Sequence, residues 1–164
     1  MQTGKLYFFC GKMGSGKTTT SVSLAESKSA VLISEDEWLS ALYPDQINTF
    51  EDYLQYSTRL KKLVFNHVAT ILKSGANVVL DFPANTPKQR KWFLDLAESV
   101  GADAELLYLK ASDEVCLSRL AVRRVEQPER GAFDNEAVFL EVTKLFQEPM
   151  EHEGLTIEIR EIES

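Results

Sequence analysis

Short apolar runs and longer amphipathic stretches take turns along the chain. Residues 5–10 (Lys-Leu-Tyr-Phe-Phe-Cys) and 30–34 (Ala-Val-Leu-Ile-Ser) are brief, β-prone and almost wholly apolar, which predicts strands buried on both faces. Residues 77–81 and 104–110 predict a third and a fourth strand, and alternation over 155–160 a fifth. The segments between them carry helical signals. Residues 17–27 predict a first helix after a glycine-rich stretch. Thr49 with Asp52 forms an N-cap arrangement ahead of Phe50, Tyr53, Leu54, Leu60, Val64, Val68, Ile71 and Leu72. That spacing keeps one helical face apolar, with room for a break, until Gly75 stops it. Thr86 followed by Pro87 starts another helix, which Gly101 closes. Ser112 opens the next, with Asp113 and Glu114 at the positive end of its dipole. Polar residues 126–131 interrupt it, and a last helix is expected over about 134–147, ahead of Pro149.

Strands alternating with helices predict an α/β fold, a five-stranded parallel sheet with helices on both faces and right-handed crossovers. At 164 residues, with no internal repeat or linker, one domain is expected. Ligands of such sheets lie beyond the carboxyl ends of the strands. Those ends carry Gly11, Asp36, Asp81 and the segment after Lys110.

Composition narrows the partners more than the fold. The net charge of −7 argues against a polyanion, so nucleic acid is not an expected partner unless a local basic cleft exists. Cys10 and Cys116 stand far apart beside apolar residues and read as reduced, buried thiols. No metal-ligand spacing joins them to His67 or His152. The apolar run at residues 6–10 is too short for a signal sequence or a membrane span, so a cytoplasmic protein without membrane association is expected.

Residues 11–18, Gly-Lys-Met-Gly-Ser-Gly-Lys-Thr, fit G-x-x-x-x-G-K-[ST] in full, between a predicted strand and a predicted helix. Gly11, Gly14 and Gly16 let successive backbone N–H groups turn inward around a phosphate. The helix that follows aims its dipole and free N–H groups at the same oxygens. Lys17 supplies a point charge for the β- and γ-phosphates, and the Thr18 hydroxyl a ligand for Mg²⁺. The Lys12 side chain reads as a solvated loop cation. The loop therefore implies a bound nucleoside triphosphate.

No N-K-x-D base-reading motif occurs, and no long apolar strand ends in Asp-Glu. The whole pattern resembles the zeta-toxin, polynucleotide-kinase and chloramphenicol-phosphotransferase group of P-loop kinases. Within that group the chain looks most like small kinase-like bacterial AAA family ATPases. The resemblance covers nearly the whole chain and implies a P-loop NTPase fold, nucleoside-kinase-like, with a small lid over about 119–134. It also implies ATP as the nucleotide, Mg²⁺ as its metal, and transfer of the γ-phosphate to a hydroxyl of a small acceptor. A polynucleotide 5′-hydroxyl or nucleotide-sugar kinase and a non-enzymatic ATP-gated binding module are the alternatives.

The nucleotide-contacting set expected on this basis is Gly11, Lys12, Met13, Gly14, Ser15, Gly16, Lys17, Thr18 and Thr19, joined by Arg119 and Arg123. The two arginines stand four apart and share a helix face, with Arg124 and Arg130 beyond them. In the resembling kinases, lid arginines neutralise charge on the transferred phosphoryl group, so Arg119 and Arg123 join Lys17 as candidate catalytic residues. The resemblance makes Asp36 the base for the acceptor hydroxyl, with Glu35 the alternative. Asp81, at the end of the third strand, can hold Mg²⁺ through water or orient Thr18, and the resemblance implies a functional aspartate there. Polynucleotide kinases carry an arginine shortly after that base, where Glu37, Trp38 and Leu39 stand here, which points to a less anionic acceptor stacked near Trp38. Asn85 reads as an acceptor contact or an Asx-turn. Arg90 faces the acceptor cleft or solvent, and His67 is expected to be a hydrogen-bonded structural residue near an apolar helix face.

Overall fold

The computed structural model describes residues 2–128 and 135–163. Its strands are β1 (Leu6–Cys10), β2 (Val31–Ser34), β3 (Val78–Asp81), β4 (Ala104–Ala111) and β5 (Ile157–Ile162). Between them run α1 (Lys17–Ser27), α2 (Glu35–Leu42), α3 (Phe50–Lys73), α4 (Pro87–Ser99), α5 (Asp113–Glu126) and α6 (Glu136–Thr143), with a 3-10 turn at Glu151–Glu153. The sheet order is β2-β3-β1-β4-β5 and every pairing is parallel. The α/β expectation therefore holds, five strands included.

Side-chain alternation in β1 sorts the molecule into two layers. Leu6, Phe8 and Cys10 face a large core built with Ile33, Val64 and Val68, and Phe8 stacks on Phe93 of α4 at 4.4 Å between ring centroids. Tyr7 and Phe9 face the other way, onto Leu24 and Ala25 of α1. A third cluster joins Cys116 and Leu120 of α5 to Phe139 of α6 and to Met13. Both cysteines are buried and unbridged, as expected.

The helix starts follow their caps. Thr49 and Asp52 form a complete capping box, and α3 then runs unbroken for 24 residues because no glycine or proline interrupts it. Thr86 caps α4, with Pro87 at its first position. Four expectations need correction. First, β2 is an edge strand rather than one buried on both faces, and Val31 is 42% exposed. Second, the acidic residues after β2 open a helix, α2, whose Ser34 cap and acidic first turn suit the dipole. Third, α6 ends at Thr143, short of the expected end near 147, and beyond it Phe146 lies 5.9 Å from Tyr108 between ring centroids. Fourth, β5 begins two residues later than its apolar alternation suggested. Among the described residues no helix is long and apolar enough to cross a membrane.

Candidate nucleotide and phosphoryl-transfer site

The loop leaving β1 carries backbone that side chains resist. Gly14 and Gly16 have φ of 79° and 97°, in the left-handed region. A Cβ on Gly14 would come within 2.7 Å of the Cys116 carbonyl oxygen, so α5 is packed directly on the loop. Gly16 is also the N-cap of α1 and offers no side chain to that helix end. The first N–H groups of an uncapped helix are free to bind an anion. The Ser15 Oγ is buried and has no hydrogen-bond partner. A glycine-lined turn opening on bare helix N–H groups fits a polyphosphate.

Lys17 is half-buried, and its Nζ donates to the Gly11 carbonyl at 2.6 Å and the Lys12 carbonyl at 3.4 Å. Burial pushes its ammonium below the usual lysine value, while the carboxylates of Asp81 and Asp36 hold it up. The side chain of Lys12 turns away to Asp113 at 2.7 Å, which gives the loop cation a partner on α5. Met13 packs into the third apolar cluster, so both side chains are engaged within the protein. Thr18 and Thr19 are exposed in the first turn of α1.

Asp81 ends β3 beside Thr18. Burial raises its carboxyl above the ordinary value and Asp36 raises it further, against the pull of Lys17 and of the Thr18 and Ser21 hydroxyls. Two carboxylates that repel each other across a space bordered by a threonine hydroxyl suit a hydrated divalent cation. Among the described residues no cluster of three His, Cys, Asp or Glu side chains could cage a metal. Thr18 and Asp81 thus suit a metal held chiefly by substrate phosphates and water.

Glu35 and Asp36 are adjacent in sequence and differ completely in setting. Glu35 is 2% exposed, and its carboxyl accepts from the Tyr53 hydroxyl and, at 2.7 Å, from the Ser57 hydroxyl. Asp36 is exposed and interacts electrostatically with Lys17 and Asp81. Burial raises the Glu35 carboxyl, opposed by its two hydroxyl donors and by Lys61. The folded state therefore holds this proton more tightly than the unfolded chain. The stability it contributes is complete below the unfolded carboxyl value and is lost as pH rises through the raised folded one. Glu35→Gln is accordingly expected to raise the melting temperature at neutral pH by roughly 3 °C, the shift that about 1 kcal/mol gives in a domain of this size. Thermal unfolding across pH checks this. A collapse of turnover in Glu35→Gln would make Glu35 a reacting group instead.

Arg119 donates from Nη1 to the Ser15 carbonyl at 3.3 Å, so α5 lays this guanidinium on the phosphate loop. Arg123 is half-buried one turn further along the same helix. Arg124 is exposed, and Arg130, with residues 129–134 of the expected lid, lies outside the described residues. Arg90 faces neither acceptor cleft nor solvent: it is fully buried and paired with Glu153. His67 is exposed rather than set against the apolar face of α3. Asn85 accepts from the Gly11 N–H at 3.1 Å, a contact to the phosphate loop that neither reading of this residue anticipated. Trp38 is half-buried against the main core. Sequence reasoning also missed Tyr53, Ser57 and Glu153, whose polar roles depend on partners 18, 22 and 63 residues away.

A cleft of about 760 Å³ opens beside the loop, lined by Lys12, Tyr108, Lys110, Phe146 and Glu148 among others. Its size is that of small-molecule sites.

Comparison with known proteins agrees with this architecture. An AAA domain family model (AAA_33) matches residues 6–149. A Chloroflexus aurantiacus protein with a provisional kinase designation superposes with a TM-score of 0.72 at 18% identity, covering 98% of this chain and 86% of its own. The APS kinase of Mycobacterium tuberculosis, solved with AMPPNP and APS, gives a TM-score of 0.60 at 18% identity and covers 91% of this chain and 85% of its own. A gluconokinase from Sinorhizobium meliloti gives 0.57 at 17% identity, with 96% and 82% covered. No curated protein sequence matches the chain. The fold is that of the P-loop kinases, and the chain belongs to the AAA domain family whose model spans it from β1 to the end of the segment after α6.

Proposed function

We propose that this protein transfers the γ-phosphate of ATP to a hydroxyl of a small-molecule acceptor in a Mg²⁺-dependent reaction, as a single kinase-like domain working in the cytoplasm. The observation that carries this reading is the gathering of Lys17, Thr18, Asp36 and Asp81 at the carboxyl ends of β1, β2 and β3, with Arg119 laid on the phosphate loop. A bare triphosphate-binding loop would need neither the exposed carboxylate of Asp36 nor its coupling to Lys17. The structural neighbours named for APS and gluconate support a small acceptor over a polymer. The net charge of −7 supports the same choice.

Phosphoryl transfer depends on positioning and charge stabilisation. The backbone N–H groups of residues 14–18 and the Lys17 ammonium hold the phosphate oxygens. Asp36 accepts the proton of the acceptor hydroxyl as its oxygen forms a bond to the γ-phosphorus. The bond from that phosphorus to the β-phosphate oxygen breaks, and ADP leaves. Arg119 and Arg123 neutralise the charge on the moving group with guanidinium forks. Thr18 and Asp81 are the residues that would hold Mg²⁺, which when bound would supply charge neutralisation for the phosphates. The cleft beside Lys12 offers the nucleoside a place next to the phosphates.

The test is a screen of hydroxyl-bearing metabolites with labelled Mg-ATP. A product that carries the label is the expected result, and Asp36→Asn is expected to lower kcat by about 10²–10⁴-fold with little change in the KM for ATP. ATP hydrolysis that is indifferent to every acceptor, and equal in wild type and Asp36→Asn, would remove the kinase assignment.

A further inference from the structure

The site described so far makes no use of the polar structure buried behind it. Arg90 is wholly buried on α4 and forks onto Glu153, with Nε to Oε1 at 2.8 Å and Nη2 to Oε2 at 3.1 Å. Its remaining nitrogen, Nη1, donates to the Ala84 carbonyl at 3.0 Å. Glu153 also accepts from the Met150 N–H at 2.8 Å. The next residue after Ala84 is Asn85, which is tied in three directions. Its Oδ1 accepts from the Gly11 N–H at 3.1 Å, its own N–H donates to Gln89 Oε1 at 2.8 Å, and its carbonyl accepts from the Gln147 N–H at 2.8 Å.

We propose that Asn85 is a positioning residue that fixes the entrance of the phosphate loop, held in place by the buried Arg90–Glu153 pair. The β1–β3 pairing runs only as far as Phe8 and Leu80, so by Gly11 that ladder no longer restrains the chain on the β3 side. Asn85 takes over there. Its amide oxygen fixes the Gly11 N–H, while Lys17 Nζ holds the Gly11 carbonyl. Both peptide planes that meet at Gly11 are thereby set before any ligand arrives. A loop that must present several N–H donors at once loses less freedom on binding when its entrance is already ordered. Asn85 carries no charge, and no reacting group is among its partners. Its removal therefore costs nucleotide affinity and leaves the chemical step nearly intact.

Two readouts test this, one of them independent of the kinase reading on which the second rests. In the free protein, Asn85→Ala is expected to speed hydrogen exchange of the Gly11 amide by about tenfold, roughly the worth of one hydrogen bond, while amides of α4 and β4 keep their protection. Asn85→Asp, which retains an acceptor oxygen, is expected to restore that protection. With nucleotide, Asn85→Ala is expected to raise the KM for ATP by about fivefold to tenfold with kcat nearly unchanged. Unchanged exchange at Gly11 overturns the proposal. So does an equal rise across α4 and β4 with a fallen melting temperature, which marks a merely structural residue, and so does a loss confined to kcat. If Lys17→Met leaves ATP binding intact, the nucleotide reading fails while the Gly11 amide still decides the role of Asn85.

Discussion

Replacing Lys17 with methionine is expected to lower ATP turnover by about a thousandfold, roughly 4 kcal/mol of lost transition-state stabilisation. The same change is expected to leave the free protein at least as stable as the wild type. The two effects have one origin. The Lys17 ammonium sits half-buried among loop carbonyls, with burial pushing its proton off and Asp81 and Asp36 only partly compensating. Because its folded value lies below the unfolded one, the unfolded chain binds this proton more tightly. The folded state therefore carries a penalty at neutral pH that fades only as pH rises towards the lysine range. Methionine keeps the length of the stem and removes the charge, so the penalty goes while the contact with phosphate is lost. Thermal unfolding with and without Mg-ATP reads both consequences. A ligand at a hundred times its Kd adds about 2.7 kcal/mol of stability to the wild type, and the variant is expected to show little of this. A variant that turns over ATP normally would show that the loop is not the phosphate site. One that loses activity by unfolding would show that the charge is not a folded-state burden.

What the sequence disclosed about the site follows from the range of the interactions involved. The phosphate loop is built from residues next to one another, and its glycines, its lysine and the strand–helix change around it are all local signals. The same is true of the caps at Thr49, Thr86 and Ser112, each of which bonds a residue three positions on. Helix α2 was hidden for a different reason. It has eight residues, begins directly at the end of β2, and its acidic first turn resembles a polar stop to the strand. The exposure of β2 was hidden too, because its composition matches that of a central strand and only the sheet order places it at an edge. Arg90 and Asn85 gave no usable signal. An arginine in the first turn of a helix is ordinarily a surface residue, and only Glu153, 63 positions later, makes it a core one. Asn85 lies 74 positions from Gly11, and nothing near either residue announces the bond. The family resemblance identified the right fold without revealing this bracing, because it rests on the motifs that face the ligand.

Arg90→Leu is expected to destabilise the fold by about 3–5 kcal/mol, or roughly 10 °C in melting temperature. The loss does not measure the worth of the ion pair. It arises because the Glu153 side chain, only 7% exposed, would be left as a buried carboxylate with no cation. Arg90→Leu combined with Glu153→Met removes both charges and is expected to recover most of the lost stability, as exchange of a buried pair for apolar side chains commonly does. The pH profile separates this account from simple loss of packing. In the wild type the hydrogen bonds from Arg90 hold the Glu153 carboxyl below the usual value, outweighing its desolvation. Its contribution is thus complete above the unfolded carboxyl value and is lost as pH falls through the depressed folded one. Without Arg90 the largest lowering cause is gone, desolvation is opposed only by the Met150 N–H and by His152, and the folded carboxyl rises from its depressed value. The single variant should then fall further below the wild type as pH rises from about 4 towards 7, because the ionised Glu153 carboxylate no longer has its main partner. Parallel wild-type and variant profiles over that range would mean that Arg90 acts through its packed stem alone. The buried pair would then be no electrostatic support for Ala84, and the hold on Asn85 would have to come from Gln89 and the Gln147 backbone.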